Sequence, residues 1–133
     1  MCAIDDADPA DVWSETTRRA AKPHTCEECS RCIQIGEQHL YVSCLYDGHW
    51  STFRTCAHCA AAGVWMRTVC GGYLTGGLLE ELQEHWDEGY RSVGFGRLII
   101  GARHRWHDGR DPVPAAVEVQ ALAERMLTQV VAA

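Results

Sequence analysis

Apolar and polar residues alternate from His39 to Tyr46, with Leu40, Val42, Cys44 and Tyr46 on one side and His39, Tyr41, Ser43 and Leu45 on the other. A period of two over this length predicts a strand. Asp47-Gly48 follows, a pair suited to the two positive-φ positions of a tight hairpin turn. His49 to Thr55, with Trp50, Thr52 and Phe53, then predicts the returning strand. Beyond it the period changes. Ala57 to Val69, rich in Ala and larger apolar residues, predicts a buried helix, bent or interrupted near Gly63. Leu78, Leu79, Leu82 and Trp86 recur at helical spacing, and an acidic block, Glu80, Glu81, Glu84, Asp87 and Glu88, takes the opposite face.

A final helix is expected beyond Pro114, a residue suited to a first helical turn, with Ala115, Val119, Leu122, Met126 and Val130 as its apolar stripe. Two stretches are less regular. Residues 13 to 21 predict a short helix, capped by Ser14 or Asp11 and ended by Lys22-Pro23, behind an acidic, solvated arm. Val93 to Ile100 reads as a strand or a buried loop, and His104 to Pro114 as polar and turn-rich.

The cysteines bring chemistry to this frame. Cys26-Glu27-Glu28-Cys29 precedes the hairpin, and Cys56-Ala57-His58-Cys59 opens the helix that follows it. Two intervening residues suit a knuckle turn, whose amides point at the first sulfur, and the exposed amides of a helix N-terminus favour a thiolate. Together the pairs predict a closed tetrahedral site in which Cys26, Cys29, Cys56 and Cys59 hold one structural Zn2+. Four protein ligands leave no position for water, so such a site would hold the fold and do no chemistry. His24 and His58 flank the pairs, where they would donate to sulfur. Cys32 reads as a spare thiol and Cys44 as core, while Cys2 and Cys70 have no obvious partner. A second site from Cys70, His85, His104 and His107 has only residue type behind it.

Composition narrows the class. At 133 residues, 47% hydrophobic and 23% charged, the chain suits one globular domain just large enough for a moderate core, to whose stability a metal would matter. No apolar run approaches the roughly 18 residues of a membrane span, and the acidic N-terminus is unlike a signal peptide. The expectation is a cytoplasmic protein, where paired cysteines bind metal rather than form disulfides. A net charge of −6 counts against a protein devoted to wrapping a phosphate backbone. The charge is uneven, however. The acidic block on the second helix would suit a protein partner with a basic surface. Arg97, Arg103, Arg105 and Arg110, near Trp106, form a candidate nucleic-acid footprint, or a solvated loop that offsets the acidic helix.

Knuckle, hairpin and helix in this order resemble the treble-clef zinc finger, and the four cysteines match its ligand positions. The run Cys26-x-x-Cys29, Ile33-x-x-Gly36-Glu37, Asp47-Gly48-x-Trp50 and Phe53-Arg54-x-Cys56-x-x-Cys59 is similar to small zinc-binding proteins of phages and bacteria. The resemblance covers residues 22 to 86. It implies a treble-clef-like zinc-binding domain over 22–88; together with the patterns on either side, an acidic arm and short helix over 1–21 and a basic loop and C-terminal amphipathic helix packing on the domain over 89–133, the expected fold is α+β. Treble clefs serve many activities, so the frame does not fix the function. His49 and His58 invite comparison with HNH endonucleases, but the chain has no Asn to fill that motif's centre and no Asp-His pair on the strand. The expected function is therefore a zinc-stabilised, non-catalytic protein acting through protein–protein contacts, one form of which is a phage-encoded inhibitor of a host defence complex of the CRISPR type. The alternatives are a DNA- or RNA-binding regulator using the Arg97–Arg110 segment and, last, a degenerate nuclease.

Overall fold

The structure, a computed structural model, describes residues 9–104 and 112–132, the last three as backbone only. Strands β1 (Val12–Arg19), β2 (His24–Thr25), β3 (Cys32–Ile33), β4 (Gln38–Tyr46) and β5 (His49–Cys56) are followed by helices α1 (Ala57–Cys70), α2 (Leu78–Glu88), α3 (Val93–His104) and α4 (Ala116–Ala132). The expected hairpin is β4–β5, antiparallel from Tyr46 opposite His49 to His39 opposite Cys56. Asp47 and Gly48 take φ of 49° and 80°, the left-handed pair that lets a two-residue turn follow the strand twist. Val42 and Cys44 bury their side chains, as the alternation requires, but His39 on the other face is buried as well.

Residues 12–19 form a strand where the sequence predicted a helix. β1 runs antiparallel along the free side of β4, from Val12 opposite Leu45 to Arg19 opposite Gln38, and gives a three-stranded sheet in the order β1-β4-β5. The expected helix had no apolar stripe and was shorter than the roughly 12 residues an isolated helix needs. Trp13, Thr16 and Thr17 are strand formers, and β4 offered an unpaired ladder. All eight side chains of β1 stay exposed. What holds it is the backbone ladder, helped by the Arg18 guanidinium 3.9 Å from the centre of the Tyr41 ring.

The core is built around α1. Trp65, fully buried, stacks on Phe95 of α3 with centroids 4.0 Å apart and meets His85 of α2 edge-on at 5.4 Å. Its indole N–H points at Met126 Sδ of α4, 3.4 Å away, so one side chain touches all three other helices. α1 runs unbroken through Gly63, contrary to the predicted bend. Tyr73 occupies the space there, and a Cβ on Gly63 would lie 2.7 Å from its hydroxyl.

Val93–His104 is helical rather than a strand or loop, and its glycines explain why the pattern misled. Gly94 faces Leu122 of α4, Gly96 faces Trp86 of α2 and Gly101 faces His58 of α1, so the missing side chains let α3 settle among three helices at once. On α2, Leu78 and Leu82 are fully buried, but Glu81 and His85 are buried beside them; Glu81 does not belong to an exposed acidic face. On α4, Val119 and Met126 turn inward with Ala123, and Leu122 is partly buried. Ala115 precedes this helix and is exposed, and the Val130 side chain lies outside the described residues. Among the described residues no helix is long and apolar enough to cross a membrane.

Because Trp65 joins all four helices, Trp65→Ala should lower the unfolding free energy by about 3–5 kcal/mol, read from urea denaturation of metal-loaded protein.

Candidate metal centre

β2 and β3 pair only over His24 opposite Ile33 and Thr25 opposite Cys32, and the turn between them is the knuckle. Cys26 N–H donates to the Arg31 carbonyl at 2.9 Å and Ser30 N–H to the Cys26 carbonyl at 3.0 Å, with Ser30 at φ 62°. This folding-back turns the Cys29 amide toward Cys26 Sγ and the Arg31 amide toward Cys29 Sγ. A further bond, Glu27 N–H to the Arg54 carbonyl at 2.9 Å, lays the knuckle on β5. Cys56 stands where β5 becomes α1, and Cys59 follows in the first helical turn.

The result is one cluster. The sulfurs of Cys26, Cys29, Cys56 and Cys59 all lie within 4.8 Å of one another, three of the residues buried and Cys29 half-buried. Cys29 and Cys56 sulfurs are 3.8 Å apart. A tetrahedral ion with bonds of about 2.3 Å sets its sulfurs about 3.8 Å apart, so the spacing fits the ion that the sequence implies. Two backbone groups also meet the cluster. Cys56 N–H donates to Cys26 Sγ at 3.3 Å, and Cys59 Sγ lies 3.6 Å from the Ala102 carbonyl of α3.

Electrostatics also call for a cation. Hydrogen bonds from Cys29, Cys56 and Cys59 hold the Cys26 thiol far below its ordinary range, while the neighbouring Cys26 pushes Cys56 and Cys59 far above theirs. Cys26 and Cys29 are thus drawn toward thiolate and Cys56 and Cys59 away from it, because each further ionisation adds negative charge in a small, largely buried volume. A bound metal ion removes that conflict, since every ligand sulfur is then held as thiolate. The four cysteines can hold one metal ion.

Glu28 lies inside the knuckle and has a role the sequence reading did not find. Its carboxylate, 9% exposed, accepts from the Gly76 and Leu78 amides at 2.9–3.1 Å. A residue between two ligands thus caps the N-terminus of α2, where a negative charge meets the positive end of the helix dipole. Burial raises the Glu28 pKa, and those two amides pull it back down. An acid fifty residues ahead of the helix it caps leaves no local signature.

The other predicted residues are spread over several elements. His24 sits beside His39, ring centroids 5.6 Å apart, and burial followed by the charge of Arg54 lowers its pKa. His58 turns its ring toward Gly101. Glu80, Glu84, Asp87 and Glu88 are exposed along α2. Arg97 and Arg103 are exposed on α3, with Arg103 donating to Gln83 Oε1 at 3.0 Å, whereas Arg105 and Arg110 lie outside the described residues. Cys70 Sγ lies 3.1 Å from His85 Nε2. His104 is exposed and His107 lies outside the described residues; among those described, the four cysteines are the group arranged to hold a metal ion. Comparison of the chain with protein-family models, with curated proteins and with solved structures returned no match.

Protein purified without chelator should carry one zinc per chain by elemental analysis, and Cys56→Ser or Cys59→Ser should lower that ratio. Acid should release the metal, since protons compete for each thiolate; a folded chain with no stoichiometric metal would contradict the assignment. Glu28→Ala should leave the zinc ratio at one yet lower the unfolding free energy by about 1–3 kcal/mol, as followed by urea titration.

Proposed function

We propose that the chain is a treble-clef-type zinc domain that works by binding and performs no chemistry at its metal. The observation that carries this reading is the donor set. Four sulfurs within 4.8 Å fill a tetrahedral ion, and an ion so enclosed has no open position from which to activate water or polarise a substrate. The sheet and helices would then be a scaffold whose exposed surfaces make the contacts.

The ligand we assign is a protein with a basic surface, met by the ridge of Glu80, Glu84, Asp87 and Glu88 on α2. Such a ridge is suited to a partner that itself binds nucleic acid, so a protein of this kind would act as an inhibitor or adaptor by covering the partner's cationic groove. A nuclease reading has less support. His49 opens β5, whereas His58 lies in the first turn of α1, beyond the far end of that strand at Cys56; β5 alone spans about 23 Å, so the two imidazoles are carried on separate elements at either end of it.

Affinity capture should recover a basic partner with the wild-type chain and lose it with Glu80→Lys/Glu84→Lys/Asp87→Lys, both proteins keeping their zinc. A partner retained by the triple variant would overturn the assignment of the ridge. Plasmid cleavage in magnesium or manganese, abolished by His49→Ala, would overturn the non-catalytic reading.

A further inference from the structure

The sheet has a second face, and its chemistry is opposite to that of the chain as a whole. Residues opposite one another in an antiparallel pair point to the same side. The register therefore sets on one side the alternate residues Val12 to Arg18 of β1, His39 to Leu45 of β4 and Trp50 to Arg54 of β5, of which His39 is buried and Tyr41, Ser43, Leu45 and Arg54 are half-buried. The inner side, where Val42 and Cys44 are buried, lies toward α1; on this outer side Thr16, Thr52 and Trp50 are exposed, Trp50 by 63%. In a chain with 18 acidic residues, none of these positions holds a carboxylate. Asp11, Glu37 and Asp47 stand at strand ends, Glu15 lies on the inner side of β1 opposite Val42, and exposed Glu27 meets β5 through its amide on the Arg54 carbonyl.

The cations on this face are fixed in place. Arg18 and Arg54, from the two outer strands, both lie over the Tyr41 ring of the central one, at 3.9 and 4.7 Å. Arg54 also donates to His39 Nε2 at 2.9 Å. Guanidiniums stacked and bonded in this way keep their forks pre-set for an anionic oxygen and lose less freedom on binding. Ser14, Ser43 and Thr52 form the row between Arg54 and Trp50, and Leu45, the partner of Trp50, is four residues along β4 from Tyr41, about 13 Å away.

We propose that this outer face binds single-stranded nucleic acid, with Arg18 and Arg54 at its phosphates and Trp50 beneath a base. Fixed cations at one end, a hydroxyl row, and an exposed aromatic ring at the other match a strand whose phosphates and base faces are both accessible. A duplex hides its base faces, and this shallow surface projects no helix or ribbon that would enter a groove. An acidic peptide would satisfy the arginines but leave Trp50 without a flat partner. This assignment is independent of the α2 ridge and involves neither Arg97 nor Arg103.

The test is fluorescence anisotropy of the full zinc-loaded chain with a labelled single strand of about 20 nucleotides, the matching duplex, and polyglutamate. Single strand should bind at least about tenfold tighter than duplex or polyglutamate, and more weakly as salt rises from about 50 to about 200 mM. Trp50→Ala should weaken binding by about tenfold, and Arg18→Ala should weaken it and make it less salt-sensitive. Both sites are exposed, and zinc content with far-ultraviolet dichroism checks the fold of each variant. Absence of single-strand binding at low salt overturns the proposal, as does equal binding of duplex or polyglutamate. So does a loss of binding in Arg97→Ala/Arg103→Ala that Trp50→Ala and Arg18→Ala do not share. Failure here leaves the acidic ridge untouched, because no partner protein enters the measurement.

Discussion

Four sulfurs in a volume a few ångströms across cannot all ionise unless a cation lies between them, and the rest of the structure is arranged on that constraint. The knuckle contributes one pair and the β5–α1 junction the other, while the backbone of α3 closes on Cys59. Zinc binding to small thiolate-rich domains is worth about 10–16 kcal/mol, the same scale as the whole net stability of a domain, about 5–15 kcal/mol. In a chain of 133 residues a bound zinc ion would therefore be comparable to the core rather than an addition to it. The core itself is organised by Trp65, which brings α2, α3 and α4 onto α1.

Much of this was legible where local rules act alone. The β4 alternation, the Asp47-Gly48 turn and the two Cys-x-x-Cys pairs each depend on residues a few positions apart, and each appears in the structure where the pattern put it. The failures all have a distant cause. β1 is a strand because β4 had an open edge, which Val12–Arg19 could not reveal by itself. α3 hides its helical character behind Gly94, Gly96 and Gly101, whose places are taken by Leu122, Trp86 and His58 from other helices. Glu81 was assigned to a solvated face, but α2 is packed widely enough to bury it.

Charge is sorted by element instead of being spread evenly. Exposed carboxylates line α2, whereas the outer side of the sheet carries arginine, hydroxyl and aromatic groups. The net charge of −6 is an average over faces of opposite sign and describes neither.

Glu28 connects matters that would otherwise be separate. On either side of it Cys26 and Cys29 enter the cysteine cluster, and its oxygens hold the first turn of a helix that begins fifty residues later. The metal-binding half therefore cannot be excised as a self-sufficient mini-protein: a fragment ending before Gly76 would expose a buried carboxylate with nothing to accept from. The long chain after the second cysteine pair is joined to the cysteine cluster through this carboxylate, and the two are expected to form and fail as a single cooperative unit.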